Sequence, residues 1–156
     1  MNDDSDLEAL FRGRQQEVFV YFVRNTGDAW LAEELAQETF VRAFGAVARF
    51  RGEASLRTWL FGIARNVLHK HRDRVTRQRR TVVDEPEPQE VDLGLRLSVQ
   101  SALASLRPAD RETLVLCDVL QFTPSEAAQV LGFEPGAMRV RLHRARARFR
   151  EVYADA

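Results

Sequence analysis

The sequence is poor in cysteine and in long apolar runs, and each scarcity excludes a class of protein. Its single cysteine, Cys117, cannot form an internal disulfide, and the apolar neighbours in "LVLCDVL" predict a buried side chain rather than a reactive thiol. No apolar run approaches the roughly 20 residues of a membrane-spanning helix, so we expect no membrane insertion. The N-terminal stretch "MNDDSDLEAL" is acidic and lacks the basic-then-apolar order of a signal peptide. We therefore expect a cytoplasmic protein.

Motifs of enzymes are missing as well. We find no glycine-rich phosphate loop, no nucleophile elbow and no cluster of metal ligands. His69 and His71 face different sides of a predicted helix and have no cysteine or acidic cluster beside them in the sequence. We therefore expect no catalytic site, no metal and no cofactor, and an all-helical enzyme is the weakest of three functional hypotheses.

Strand patterning is scarce, whereas helical periodicity runs through most of the chain. The 156 residues, 45% of them hydrophobic and 29% charged, suffice for one ordinary domain or two small ones. Apolar residues recur at spacings of three and four in most segments. We predict an all-α fold.

Three helices are predicted in the first half of the chain. The first ends near Gly27, which can take the left-handed conformation, and Asp28 can cap a second helix over residues 29–47. Ser55 can cap a third helix. The predicted buried sides comprise Ala32, Leu35, Ala36, Phe40, Ala43 and Val47 in the second helix, and Leu56, Trp59, Leu60, Ile63 and Val67 in the third.

Residues 81–94, "TVVDEPEPQEVDLG", lack periodicity and hold two prolines and five acidic residues. This composition is typical of a linker. We therefore predict two small helical domains, residues 1–80 and 95–156, joined by an acidic segment.

Four helices are predicted after this linker. "TPSE" is a helix start, in which Thr123 can cap, Pro124 suits the first position and Glu126 can complete a capping box. That helix stops at Gly132, and the last helix begins near Pro135. Two more helices are predicted between the linker and Thr123. The first is marked by Val99, Ala102, Leu103 and Leu106, and the second by Leu114, Leu116, Val119 and Leu120.

Positive charge is concentrated in two blocks, although the formal net charge of the chain is zero. Residues 65–80 carry seven basic side chains against one acid, and the stretch 139–150, "RVRLHRARARFR", carries six arginines and no acid. Such asymmetry suggests basic surfaces for a polyanion, with acidic segments that shield them or contact another partner.

The last helix has one apolar stripe, and its arginines fall off that stripe. A short helix, a glycine turn and a second helix with a basic outer face are typical of a helix-turn-helix, whose second helix enters the major groove. The alternative is a solvated arginine-rich helix. The stripe comprises Met138, Leu142, Ala145, Phe149 and Val152. We expect base contacts from Arg139, Arg141 and Arg144 near the helix start, and phosphate contacts from Arg146, Arg148 and Arg150.

Three segments together extend this interpretation to the whole chain. "AEELAQETFVRAF", "RFRGEASLRTWLFGIARN" and "AAQVLGFEPGAMRVRLHRARARFRE", in that order, resemble an alternative bacterial sigma factor of the extracytoplasmic-function group, in the sigma-70 family. The resemblance implies that residues 1–80 are region 2, which binds core RNA polymerase and opens the −10 element. Residues 95–156 would be region 4, which reads the −35 element.

The resemblance also implies roles for individual residues in region 2. In the loop "ARFRGEAS", Arg49, Phe50 and Arg51 match the part that captures an unstacked base. Phe61 either stacks on a base or packs on the first helix, and Trp59 is expected in the core. The remaining −10 residues, a track for the single strand, are Arg57, Arg65, Asn66, Lys70 and Arg72. The segment that docks on polymerase is matched by Glu34, Gln37, Glu38, Val41 and Arg42.

Region 4 departs from the family pattern at the start of its last helix. Ala137 stands where the family usually has threonine. Val140, which belongs to the expected −35 surface, stands where the family usually has serine. Two hydroxyls that can touch phosphate or base are therefore absent. The implied partners are core polymerase, promoter DNA and an anti-sigma factor. With no further C-terminal domain expected, regulation would come from another protein. The competing hypothesis is a stand-alone helix-turn-helix regulator.

Overall fold

The computed structural model describes residues 4–81 and 97–154, and within these ranges it contains helices and no strand. The all-α prediction is confirmed. The predicted linker lies, apart from Thr81, outside the described residues. The helices are α1 (Asp4–Thr26), α2 (Ala29–Ala46), α3 (Leu56–Thr81), α4 (Leu97–Ser105), α5 (Pro108–Leu114), α6 (Pro124–Leu131) and α7 (Pro135–Ala154), with a 3-10 turn at Val47–Arg49 and a π turn at Val115–Val119.

The first three helices pack against one another, and the residues predicted to end or cap them do so. Gly27 has φ of +72° after α1, and the Asp28 carboxylate accepts a hydrogen bond from the Leu31 amide at 3.2 Å, which caps α2. The Ser55 hydroxyl accepts from the Thr58 amide at 3.1 Å and caps α3. Six of the eleven predicted core positions in α2 and α3 are buried. The other five are half-buried, namely Phe40, Val47, Leu56, Trp59 and Ile63.

The last four helices form a second packing unit. Thr123 and Glu126 form the predicted capping box at the start of α6, with hydrogen bonds of 3.0 and 3.1 Å. Gly132 ends α6 in the left-handed conformation, at φ of +77°. A methyl group at this φ would be strained, which explains why glycine stands at the turn between α6 and α7.

One part of this unit differs from the prediction. A single regular helix was expected to bury Val119, yet Val119 is 39% exposed. The Leu120 amide donates to the Val115 carbonyl at 2.9 Å, five residues back. This π turn inserts an extra residue per turn, so the side chains after it rotate away from the helical stripe. Gln121 then takes φ of +61°.

The two units are not separate in space but share one buried core. α3 packs on α6, while α1 packs on α4, α5 and the π turn. The Phe61 ring lies 5.6 Å from the Tyr21 ring and 5.0 Å from the Phe122 ring, measured between centroids. Phe122 belongs to the C-terminal unit, so this aromatic cluster joins the two. Among the described helices, none has the length and apolar character required to cross a bilayer.

Candidate nucleic-acid interface

The last helix presents the arginine face that the sequence predicts. Met138, Leu142 and Ala145 are buried against the other helices of the C-terminal unit. Phe149 and Val152 are half-buried and extend the same stripe. All six arginines between positions 139 and 150 are exposed, as is Val140 among them. The outward orientation of these side chains is therefore confirmed.

The arginines of α7 differ in how their charge is compensated. Arg146 makes two hydrogen bonds to the Asp118 carboxylate, at 2.6 and 3.0 Å, and this pairing raises the pKa of Arg146. Arg148 donates to Asp110 at 2.7 Å. Within residues 4–81 and 97–154, no hydrogen bond or ion pair engages Arg139 or Arg144. Among the described residues the same holds for Arg150, so the uncompensated charge lies at Arg139 and Arg144 in the first half of α7 and at Arg150 near its end.

Arg141 has a third arrangement, because its guanidinium stacks on an aromatic ring of the same unit. It lies 3.9 Å from the centroid of Phe133, in the range of a cation–π contact. Such a contact orients the guanidinium but leaves its N–H donors available to an acceptor such as a base edge.

The loop between α2 and α3 borders a cleft of about 560 Å³. Arg49 and Arg51 are exposed there. Phe50 is half-buried, with its ring 5.3 Å from the ring of Trp59, and both residues line the cleft. Trp59 also packs on the core, so the expected core role is confirmed together with a second role as a cleft wall.

The rest of this cleft is lined by both halves of the chain. Arg65 and Asn66 line it from α3, and Gln129 and Val130 line it from α6. Two arginines of the loop and one of α3 outnumber the single acid of the lining, Glu53, so the cleft has a net positive charge that favours an anion.

Some of the α3 residues predicted to contact the −10 strand are accessible to solvent, and others are covered by neighbouring side chains. Asn66 and Lys70 are exposed, and Arg65 is half-buried. Phe61 is fully buried between Tyr21 and Phe122. Of its two predicted roles, packing on the first helix is the one observed. The role of stacking on a base is wrong for this arrangement of the chain, because no face of the ring is reachable.

Arg57 is also held by the C-terminal unit. Its guanidinium donates to the Leu120 carbonyl and to the Glu17 carboxylate. It lies 3.9 Å from the centroid of the Phe122 ring. Burial alone would raise the pKa of Glu17, but the hydrogen bonds and charges of Arg57 and Arg14 outweigh it and lower that pKa.

Arg72, the remaining track arginine, meets a buried carboxylate. Glu112 of α5 is 3% exposed and accepts hydrogen bonds from Arg72 at 3.1 Å and from His69 at 2.9 Å. The Tyr21 hydroxyl donates to the same carboxylate at 3.4 Å. Burial alone would raise the pKa of Glu112, but the His69 hydrogen bond and the Arg72 charge overcome it and lower that pKa.

Sequence reasoning found no cysteine or acidic cluster near His69 and His71, and it did not foresee the one carboxylate that contacts His69. A single carboxylate reaches it, from 43 positions further along the chain. In the part of the chain that the structure describes, no group of three or more histidine, cysteine, aspartate or glutamate side chains is close enough to hold a metal ion.

The outer face of α2 carries the residues assigned to polymerase docking. Glu34 and Gln37 are exposed, and Val41 is 72% exposed. Glu38 and Arg42 form an ion pair of 2.6 Å one turn apart. The surface is thus polar with a small apolar centre, as in many non-obligate protein interfaces.

Two large apolar side chains on this face escaped the sequence analysis. Trp30 is 80% exposed and Phe44 is 48% exposed. They lie seven positions before and after Gln37, and the spacing of seven places all three on one stripe. That spacing is visible in the sequence, but both were overlooked because large apolar residues are expected in a core.

Both halves of the chain match models of known protein families. Residues 10–81 match sigma-70 region 2. Residues 96–149 match sigma-70 region 4.

Curated relatives match over most of their length. The chain is 37% identical over 148 residues to the extracytoplasmic-function RNA polymerase sigma factor SigC of Mycobacterium tuberculosis, covering 90% of this chain and 79% of the relative. It is 31% identical over 157 residues to the RNA polymerase sigma factor YlaC of Bacillus subtilis, covering 94% and 91%.

Solved structures share the fold at lower identity. The sigma factor RpoE of Bartonella quintana, solved with the anti-sigma factor NepR, superposes with a TM-score of 0.81 at 23% identity over 94% of this chain and 96% of that one. CnrH, solved with the cytosolic domain of CnrY, superposes with a TM-score of 0.74 at 24% identity over 99% and 92%.

Proposed function

The chain belongs to the extracytoplasmic-function group of the sigma-70 family, and from that premise we propose which of its residues touch promoter DNA and polymerase. It is an alternative sigma factor, which binds core RNA polymerase and directs promoter-specific initiation. The hypothesis of a stand-alone regulator finds no support among its relatives. Residues 1–80, 81–94 and 95–156 are the proposed extents of region 2, the linker and region 4.

The −35 element is read by the exposed face of α7. The observation that carries this proposal is the uncompensated charge of Arg139 and Arg144, because a guanidinium without an internal partner can donate two hydrogen bonds to a guanine edge. Arg141 joins them, and Val140 offers an apolar contact. Arg146 and Arg148 contact phosphates of the DNA backbone after they release the carboxylates of Asp118 and Asp110.

The −10 element is bound by the loop after α2 and by α3. Arg49, Phe50 and Arg51 border a cleft whose aromatic and basic walls suit an unstacked base with its phosphate. Arg57, Arg65, Asn66, Lys70 and Arg72 would follow the single strand along α3. Phe61 joins them only in an arrangement that uncovers its ring.

Core polymerase docks on the outer face of α2, through Glu34, Gln37, Glu38, Val41 and Arg42. Trp30 and Phe44 belong to the same surface, since they share its stripe and are exposed. Large aromatic side chains contribute a disproportionate share of binding energy at protein interfaces. The chain supplies recognition and has no catalytic site of its own.

An anti-sigma factor and a cytoplasmic location complete the proposal. Of two proteins of the same fold, the sigma factor RpoE was solved with the anti-sigma factor NepR, and CnrH with the cytosolic domain of CnrY. Polymerase and promoter DNA meet in the cytoplasm, where a sigma factor acts.

The test is transcription with purified components. Core polymerase alone and core polymerase with this chain are given fragmented genomic DNA of the source organism, and transcript starts are mapped. We expect a set of starts that depends on the chain and shares −35 and −10 sequences. If the chain never binds core polymerase, or if its starts share no upstream sequence, the proposal fails.

A further inference from the structure

Phe133 lies in the turn between α6 and α7, and backbone hydrogen bonds fix this turn. The amides of Gly132 and Phe133 both donate to the Ala128 carbonyl, at 2.8 and 2.9 Å. The second of these bonds, which follows a glycine in the left-handed conformation, is characteristic of a Schellman motif at the end of a helix. The Phe133 ring is half-buried and packs on the hydrophobic core. Phe133 is therefore a rigid part of the turn.

The guanidinium of Arg141 lies on this ring, 3.9 Å from its centroid. Arg141 is exposed and belongs to the first half of α7, the part of a recognition helix that reaches base edges. An exposed arginine ordinarily changes rotamer freely, and ordering it on binding costs free energy. Because the ring stabilises one position of the guanidinium, much of this ordering has already occurred in the free protein.

Stacking on a ring and hydrogen bonding to a base use different parts of a guanidinium. The planar faces of the group contact the ring, whereas its N–H donors point outward from the edges. Among the described residues, Arg141 has no hydrogen-bond acceptor, so these donors remain available to a base. Guanine offers O6 and N7 in the major groove, and this pair of acceptors matches the geometry of one guanidinium.

The neighbouring arginines of α7 do not combine restraint with free donors. Arg146 is restrained by Asp118, but that carboxylate occupies edge donors that a base or a phosphate would need. Arg139 and Arg144 have free donors, but within residues 4–81 and 97–154 no ring or carboxylate restrains them. Arg141 is therefore both oriented and available.

We propose that Phe133 is a positioning residue for promoter recognition, which holds the Arg141 guanidinium ready for a guanine of the −35 element and makes that base pair the most strongly discriminated position that α7 reads. The inference rests on the proposed function of α7. Without the ring, the cost of ordering Arg141 would be subtracted from its contact with guanine. It would not be subtracted from complexes with other bases, in which Arg141 stays mobile. The ring therefore widens the difference between guanine and its competitors.

The test measures base preference at each position of the −35 element. The probe is a pool of duplexes that carry one promoter mapped with this chain, with its −10 element intact and its −35 element randomised. Core polymerase with the full chain binds the pool, and sequencing of bound and unbound duplexes gives each preference. Arg141→Ala identifies the position that Arg141 reads, because the preference for guanine disappears there. In the parent chain we expect this preference to be about tenfold or more and the strongest in the element.

Phe133→Leu keeps an apolar side chain in the turn and removes the ring. We expect the guanine preference at the Arg141 position to fall about two- to tenfold, the factor that corresponds to ordering one long side chain. Preferences at the other positions should not change. Phe133→Tyr keeps the ring and should retain the parent preference. Adding Phe133→Leu to Arg141→Ala should have no further effect on any preference, because Phe133 acts through Arg141.

Phe149→Leu is the matched control. Phe149 is a half-buried aromatic residue of the same unit, but its ring stacks on Tyr153, with 5.6 Å between centroids, rather than on an arginine of α7. Every base preference should therefore persist in this variant. If Phe133→Leu does not fold by circular dichroism, Phe133→Met replaces it, with the same expectation.

The inference is overturned if Phe133→Leu leaves the guanine preference at the Arg141 position intact, if it lowers all positions equally, or if Phe149→Leu or Phe133→Tyr lowers that preference as much. It is overturned as well if Arg141→Ala removes no preference, or if another position is discriminated more strongly. In each of these cases α7 can still read the element through Arg139 and Arg144, so the proposed function stands. A parent complex that selects no −35 sequence from the pool refutes the proposed function instead.

Discussion

The guanidinium of Arg57 lies 3.9 Å from the centroid of the Phe122 ring, and this pair connects the two halves of the chain. The same guanidinium donates to the Leu120 carbonyl, 63 positions away. A cation on an aromatic ring with two further acceptors is a well-satisfied buried charge. Arg57 is therefore a structural residue where the two units pack together, as well as a candidate DNA contact.

Arg57→Ala should reduce the free energy of unfolding by about 2–4 kcal/mol, because it removes a cation–π contact and charged hydrogen bonds and leaves the Leu120 carbonyl without its donor. Urea unfolding followed by circular dichroism measures the change. Arg12→Ala is the control, since within the described part of the chain Arg12 makes only an exposed ion pair of 3.8 Å to Glu8. A loss below 0.5 kcal/mol, about the size expected of a surface substitution, would contradict the assigned contacts.

Arg144→Ala should weaken binding of the polymerase–sigma complex to a promoter by about 1–3 kcal/mol if Arg144 reads a base. Arg146→Ala should cost less, because Arg146 already has Asp118 as a partner and must give it up to contact DNA. Gel-shift titrations on a promoter and on a −35 mutant measure both. An equal loss on every duplex would make Arg144 a phosphate contact instead.

Val41→Glu and Trp30→Ala should each weaken binding to core polymerase at least about tenfold, because both change exposed apolar side chains of the α2 surface. Affinity is measured by fluorescence titration of labelled chain with core enzyme. Val119→Glu places the same charge on an exposed valine of the other unit. Unchanged affinity in the α2 variants would remove this surface from the polymerase interface.

Acid should destabilise the chain partly through Glu112. Its pKa is lower in the folded chain than in the unfolded chain, so its charge stabilises the fold above the unfolded pKa. That contribution is lost as the pH falls through the folded pKa. The difference in unfolding free energy between the parent chain and Glu112→Gln should therefore shrink between about pH 6 and pH 3. A difference that stays constant over this range would show that Glu112 is not held as a charged group.

Cys117 should resist alkylation while the chain is folded. Burial raises the pKa of its thiol to about 11, so at about pH 8 only on the order of one thiol in a thousand is ionised. Iodoacetamide, followed by mass spectrometry, should modify the urea-unfolded chain rapidly and the native chain very slowly. Comparable rates in the two states would contradict the buried position.

The helix ends and the arginine face could be predicted because they depend on local sequence. Gly27 and Gly132 end helices through their own backbone freedom, and Thr123 caps through a residue three positions away. The stripe of α7 follows from helical spacing alone. None of these inferences needed knowledge of which distant segments meet.

The packing of the two units could not be predicted, because its contacts join residues far apart in the chain. Glu112 meets His69 across 43 positions, and Arg57 meets Leu120 across 63. In the sequence, Glu112 is one acid beside an apolar run, and Phe61 fits a stacking role as well as a core role. The π turn at Val115–Val119 was missed for a related reason, since its register is set by packing rather than by local propensity.

The exposed arginines of α7 have a consequence for timing. They remain accessible while Phe61 and Arg72 are covered. The α7 face proposed for the −35 element can therefore bind duplex DNA before α3 binds the melted strand of the −10 element. With the proposed contacts, we expect reversible binding to duplex DNA to come first and binding of the melted strand to follow only where the two strands separate.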